Sequence, residues 1–272
     1  NDVQYRYLSY KSTSANSRIG GTQMSSWSRT DNVLKFIGDD YWENLDKMDE
    51  YGNLIDASEN TVPIPILLSN KSAWISKTAN SRCVELGFSH VNKPITNMMN
   101  SNGTNDVYRD INECYQELVQ TNDDILYNGF MMVEFSGNST TNMSQNVGTI
   151  LNGNFIFYYN SPIGALYLPP TTAGSTVFLY LEQGGGTIFS AGGSSNIYDY
   201  NYFVYSDKDI AFSKAKINGS VVMANGAKAT ISDGENKLKY NASVLSALAQ
   251  AGIISENPDY TSRLNGGSGS SS

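Results

Sequence analysis

Tyr202-Phe-Val-Tyr-Ser-Asp-Lys-Asp-Ile-Ala-Phe-Ser-Lys-Ala-Lys-Ile-Asn-Gly-Ser-Val-Val-Met223 is the stretch on which the fold turns. Short apolar runs broken by polar residues read as strands. Ala229-Thr-Ile231 and Lys237-Leu-Lys-Tyr240 continue the pattern, and Asn218-Gly, Asn225-Gly and Asp233-Gly punctuate it. Asn241 then offers a helix N-cap, and Gly252 sits where a helix ends in a left-handed residue. Val244, Leu245, Leu248 and Ala251 form the apolar stripe between them. No group in this stretch suits catalysis. It builds a surface.

Upstream, the same reading gives strands over 130–135, 154–159, 176–182 and 187–190, and within the quoted segment over 202–206, 210–213 and 220–223. The strands over 228–231 and 237–240 complete the set. Two arrangements compete. Asn-Gly and Asp-Gly between alternating runs are strong hairpin signals and favour an antiparallel meander. A β-solenoid also places Gly and Asn at its corners. In the meander, strands 220–223 and 228–231 form an antiparallel ladder. In the solenoid, neighbours are parallel and Asn218-Gly219 and Asn225-Gly226 are corners.

The first 130 residues read as mixed. Leu34, Ile37, Tyr41, Leu45 and Met48 recur at helical spacing behind a possible cap at Asp31. Residues 62–68 are extended, because proline disfavours helix at the residue before it. Val84, Leu86 and Phe88 alternate as in a strand, and Val107, Ile111, Cys114 and Leu118 mark one face of a helix. The expected class is α+β, predominantly β. A mixed N-terminal region (1–130) precedes a β-rich, solenoid-like or antiparallel domain (131–264) capped by a helix. Residues 265–272 form a flexible Gly/Ser tail.

Only 16% of the residues are charged, and the net charge is −8. Such a chain has no basic stripe for nucleic acid or anionic lipid. Polarity comes from Ser, Asn, Gly and Thr, a make-up that points outside the cell. The two cysteines, Cys83 and Cys114, fit one disulfide in an oxidising compartment. The closed loop of about 32 residues is worth ~3–4 kcal/mol on the chain-entropy argument. No apolar run reaches the ~18 residues of a membrane span. The chain opens on Asn1 without a signal peptide, as expected of a mature or trimmed ectodomain.

Residues 202–253 resemble the C-terminal region of bacterial type IV pilus-associated proteins, the large minor-pilin-like ones with a small β-helix. The likeness rests on Tyr202-Phe-Val-Tyr-Ser-Asp-Lys-Asp-Ile210, on Ile217-Asn-Gly-Ser-Val-Val-Met-Ala-Asn-Gly226 and on Leu238-Lys-Tyr-Asn-Ala-Ser-Val-Leu245. It implies a solenoid rather than a meander. It also implies a non-enzymatic role in assembly or adhesion at the bacterial surface, with other filament or surface subunits, a glycan or a host surface as partners. Members of that group carry an N-terminal hydrophobic helix after a prepilin cleavage site, which this chain lacks. The Cys83–Cys114 pair is similar to the disulfide-bounded region of pilins.

No catalytic, cofactor or metal residues are assigned. His90 is the one histidine and reads as a surface loop residue, since no nucleophile-elbow sequence accompanies it. One histidine and two disulfide cysteines do not close a zinc site. Asp39, Asp40, Glu43, Asp46, Asp49 and Glu50 read as a solvated helix face. An EF-hand register there puts Lys47 at the first ligand position. Gly184-Gly-Gly-Thr187 lacks the Gly-Lys-Ser/Thr ending of a phosphate loop and reads as a turn. The alternative function is a secreted carbohydrate-binding or carbohydrate-active β-solenoid, although nothing singles out a pair among the 26 acids. A carboxylate cluster in a Tyr-lined groove favours that alternative. An exposed hydrophobic β surface favours assembly.

Overall fold

Strands adjacent in space lie a full coil apart in sequence. The computed structural model of the chain describes residues 8–12, 18–19, 22–23, 33–36, 66–92, 106–136, 149–191, 199–224, 227, 229–231 and 236–258. In chain order the strands begin with β1 (Leu8–Ser12), β2 (Arg18–Ile19), β3 (Thr22–Gln23), β4 (Val33–Phe36) and β5 (Ile66–Leu68). Helices α1 (Lys71–Ile75), α2 (Asn80–Glu85) and α3 (Asp106–Gln120) follow, with a 3₁₀ turn at Ser89–Asn92. The β region comprises β6 (Met131–Phe135), β7 (Asn154–Tyr159), β8 (Gly164–Leu168), β9 (Thr176–Leu181) and β10 (Gly186–Ser190). It continues with β11 (Tyr202–Ser206), β12 (Ile210–Phe212), β13 (Lys216–Met223), β14 (Ala229–Ile231) and β15 (Lys237–Tyr240). Helix α4 (Ala242–Gln250) and β16 (Ile254–Glu256) close the described chain.

From β7 onward, successive strands alternate between two sheets. The first has the order β3-β2-β15-β13-β11-β9-β7-β6, and the second β4-β1-β14-β12-β10-β8. All pairs from β6 to β15 are parallel. The chain is therefore a β-solenoid of four coils. At the far end β1 and β2 extend the sheets in parallel, and β3 and β4 fold back antiparallel. A parallel pair needs a crossover between its strands, and here the other sheet's strand supplies it.

Two details correct the turn-based reading. β13 and β14 form no ladder, because they lie in different sheets. Asn218-Gly219 is not a corner but part of β13, and Asn225-Gly226 lies outside the described residues. Gly219 is needed for close approach: a Cβ there would lie 1.9 Å from the Tyr202 carbonyl oxygen. The Gly signal thus marked tight strand packing, not a hairpin.

The two sheets differ in what covers them. β7, β9 and β11 (NFIFYY, TVFLYL, YFVYS) are buried almost throughout. A strand buried on both faces reads as a continuous apolar run. Their inward residues, among them Phe155, Phe157, Val177, Leu179 and Val204, meet Leu166, Ile188 and Phe212 of the second sheet. Their outward residues pack under helices. Trp74 of α1 sets its ring edge-to-face on Phe178 and Tyr180, 5.8 and 6.1 Å between centroids. Helix α4 lies over β9, β11 and β13 and buries Val244, Leu245 and Leu248 as expected. Asn241 Oδ1 accepts from Ser243 N at 3.1 Å, and Gly252 has φ +74°.

The solenoid is thus flanked by α4 rather than capped by it. The end of the core is closed instead by α3, whose Tyr108 stacks on Phe157 and whose Tyr115 tilts onto Phe155. Asn112 and Gln116 of α3 bond the backbone at residues 150 and 152. Cys83 and Cys114 form the expected disulfide, Cα–Cα 5.7 Å, and tie α2 to α3. Cys83 lies in a helix, not the strand expected around Val84, Leu86 and Phe88. Residues 33–36 are a strand paired with β1 instead of the start of a helix; residues 37–50 fall outside the described set.

Gly219→Ala should lower stability by ~1–3 kcal/mol, because the added methyl forces strands β11 and β13 apart. Gly174→Ala is the control, since a Cβ there meets nothing within 4 Å. Equal chemical denaturation midpoints for the two variants would contradict this packing.

Candidate functional site

One element recurs on the outer rim of the first sheet. Tyr158-Tyr-Asn160, Tyr180-Leu-Glu182 and Tyr205-Ser-Asp207 occupy the same place in consecutive coils. Backbone register sets Glu134 beside Tyr158, Tyr158 beside Tyr180 and Tyr180 beside Tyr205. The following residues are bonded in the same ladder: Asn160 N donates to Phe135 O, Glu182 N to Tyr159 O and Asp207 N to Leu181 O. Tyrosines and polar partners therefore form two parallel files, one step per coil.

Two of the hydroxyls reach the carboxylate of the next coil. Tyr158 donates to Glu182, and Tyr180 donates to Asp207 Oδ2 at 2.7 Å. Asn160 Nδ2 donates to Glu134 Oε1 at 2.6 Å. Lys71 of α1 completes the group. Its Nζ donates to Tyr180 Oη at 2.9 Å and lies 4.0 Å from Glu182 Oε2. The rings of Tyr158 and Tyr180 stack at 5.4 Å, and Tyr205 tilts against Tyr180 at 5.9 Å.

Burial is the main cause that raises the hydroxyl pKa of all three tyrosines, and the neighbouring carboxylates add to it. Tyr205 is pushed up to about 12. At neutral pH the Tyr158 and Tyr180 hydroxyls are fixed donors. They hold the carboxylates in place and do not act as bases. The rim is a polar seam that joins the coils where the helices stop covering the sheet.

His90 is not the plain surface residue expected. It lies in the 3₁₀ turn, and its backbone N–H and ring Nδ1 both meet Asp110 Oδ2, at 3.0 and 2.7 Å. Asp110 is buried on α3, and Arg109 Nη2 approaches its other oxygen at 3.2 Å. This carboxylate anchors the turn to the helix. The acids at 39–50 lie outside the described residues, and Gly184-Gly185 forms the turn between β9 and β10 with φ +51° and +68°. Among the described residues no three His, Cys, Asp or Glu side chains are grouped to hold a metal. No described helix is long and apolar enough to cross a membrane.

Comparison with known proteins returns no family model, no curated protein and no solved structure that matches the chain.

The Tyr-x-polar rim was missed in the sequence, although its signal was present. Tyr158, Tyr180 and Tyr205 are 22 and 25 residues apart, and each is followed two residues later by Asn, Glu or Asp. A search for a period of one coil finds it. A reading strand by strand does not.

The tyrosines make stability fall at high pH. A neutral hydroxyl with a raised folded pKa keeps its stabilising effect below the unfolded value near ~10. Above that the unfolded chain ionises first, and the advantage is lost as the pH rises through the folded pKa. For Tyr205 the window is roughly pH 10 to 12. Titration at 295 nm should show a block of the eighteen tyrosines ionising late, together with unfolding. All of them titrating near pH 10 with the fold intact would contradict this burial.

Proposed function

We propose that the chain is a non-enzymatic extracellular protein of the bacterial surface, associated with filaments or other surface subunits and acting by contact in assembly or adhesion. The observation that supports this reading is the asymmetry of the two sheets. The described helices α1, α2 and α4 lie against the first sheet. In the second, Ala165, Tyr167, Thr187, Phe189, Ala211 and Thr230 are half-buried, while Leu166, Leu168, Ile188, Ile210 and Phe212 between them are buried. Register sets Ala165, Thr187, Ala211 and Thr230 in one file and Tyr167 beside Phe189 in the next. None of the six is charged. Over β8 to β14 a face without charged residues suits docking against another protein surface, and the file reaches a charge only at Lys11 of β1. The pilin-like resemblance of residues 202–253 points the same way.

A carbohydrate-binding or carbohydrate-active role is the second reading, and the carboxylates of the tyrosine rim favour it. The rim rings are 7%, 1% and 5% exposed at Tyr158, Tyr180 and Tyr205, which closes their faces to a sugar. The contact reading therefore carries more weight.

The test joins location to the open face. Antibody should label intact, unpermeabilised cells that make the protein. Thr187→Arg with Ala211→Arg should leave the near-ultraviolet spectrum unchanged and abolish co-sedimentation with filaments sheared from those cells. Labelling only after permeabilisation, or unchanged co-sedimentation, would contradict the proposal. Oligosaccharide binding lost in Glu182→Gln and Asp207→Asn would favour the second reading instead.

A further inference from the structure

The far end of the stack is completed by strands from the other end of the chain. β1 continues the second sheet beyond β14, with Tyr10, Lys11 and Ser12 opposite Ala229, Thr230 and Ile231. β2 continues the first sheet beyond β15, with Arg18 and Ile19 opposite Lys237 and Leu238. Both pairs are parallel, so residues 8–19 take the places of a further coil, one strand on each sheet.

Three features set this end apart from the continuous wind of the solenoid. The first is reach. Phe36 and Ile66 are 30 residues apart, and such a tether spans at most about 100 Å. The eight strands of the first sheet, spaced ~4.8 Å apart, stack to only about 34 Å. The tether therefore reaches the end of a neighbouring stack as well as its own. The second is the length of the ladder. It has three residue pairs on β14 and two on β15, against six between β7 and β9 and five between β9 and β11. The third is the contrast with the opposite end. There Thr78 bridges Met132, and the Asn80 carboxamide bonds both backbone groups of Glu134. Those residues lead straight into α2, which the disulfide ties to α3. Only one end of the stack is closed by strands on a long tether.

We infer that the β14–β15 end is a strand-acceptor site, filled here by residues 8–19 of the same chain and fitted to take the same residues of a second copy. The pairing within one molecule supplies the partner. The register that seats the segment in its own chain seats it unchanged in another, so the exchange loses no contact. Concentration then decides between the two. A tether of about 30 residues supplies an effective concentration on the order of a millimolar, which neighbours packed side by side at a surface exceed. The site uses backbone edges, so the inference is independent of the outer face of the second sheet.

Cysteine pairs separate the two seatings. Positions 11 and 230 are opposite in the ladder, and the native cysteines are bonded to each other. Mild oxidation of the Lys11→Cys, Thr230→Cys double variant at micromolar concentration should join the two positions within one chain. In an equimolar mixture of the two single variants, an 11–230 disulfide joins two chains. Non-reducing peptide mapping should find at least tenfold more of it at millimolar than at micromolar protein. Lys11→Cys mixed with Thr187→Cys is the control, since β10 lies two strands beyond β14, and no 11–187 link should form. Arg18→Cys with Lys237→Cys repeats the test on the first sheet. Intrachain links without interchain links at millimolar protein would overturn the inference. So would interchain links that form equally well to position 187, or no intrachain link in either pair. Loss of the native spectrum in both pairs would make residues 8–19 a fixed part of the fold and overturn it equally.

Discussion

The parallel, in-register backbone ladder of the first sheet is the constraint on which the rest depends. Strands ~4.8 Å apart in strict register set equivalent side chains directly over one another. Phe178 lies on Phe203 and Tyr158 on Tyr180, with centroids 5.5 and 5.4 Å apart. A file of rings is apolar along its whole length, so the outer face of this sheet cannot be left in water. The chain meets the requirement with helices taken from both sides of the solenoid in sequence. Trp74 comes before it and α4 after it. β5 and β16 then pair antiparallel and join the two covers.

Where the helices stop, the same stacking turns polar. The rim tyrosines keep their rings in the stack, and Tyr158 and Tyr180 send their hydroxyls to carboxylates of the next coil. Amphipathic side chains suit this boundary, because one end belongs to the core and the other to water. The ends of the stack pose a different problem. At one end β3 and β4 fold back on the sheets. At the other, α3 closes the core, while Thr78–Asn80 occupies the edge of β6.

Much of the strand pattern was legible in the sequence. β7 and β11 fall on segments read as strands because aromatic and β-branched runs are bounded there by polar residues, and β15 does because Leu238 and Tyr240 alternate with lysines. The caps of α4 were legible because Asn241 and Gly252 act through local chemistry. Pairing was less so. Asn218-Gly219 resembles a hairpin dipeptide locally, and only the Tyr202 carbonyl, from the preceding coil, shows why glycine stands there. β8 escaped notice, since Gly164-Ala-Leu-Tyr-Leu168 follows a proline and offers a single clear alternation. Val84, Leu86 and Phe88 alternate, yet helix α2 spans Asn80–Glu85, because the disulfide and the contact with β6 outweigh a three-residue pattern. The partner of His90 was hidden for the same reason: Asp110 lies twenty residues away, and only the packing of the 3₁₀ turn on α3 brings them together.

The central claim is parallel stacking of strands one coil apart, and amide-to-α nuclear Overhauser contacts test it most directly. The account predicts contacts that link Phe178 and Leu179 of β9 with Phe203 and Val204 of β11 in parallel register, and none between β13 and β14. Close α-to-α contacts between residues 220–223 and 229–231, the mark of an antiparallel hairpin, would contradict it.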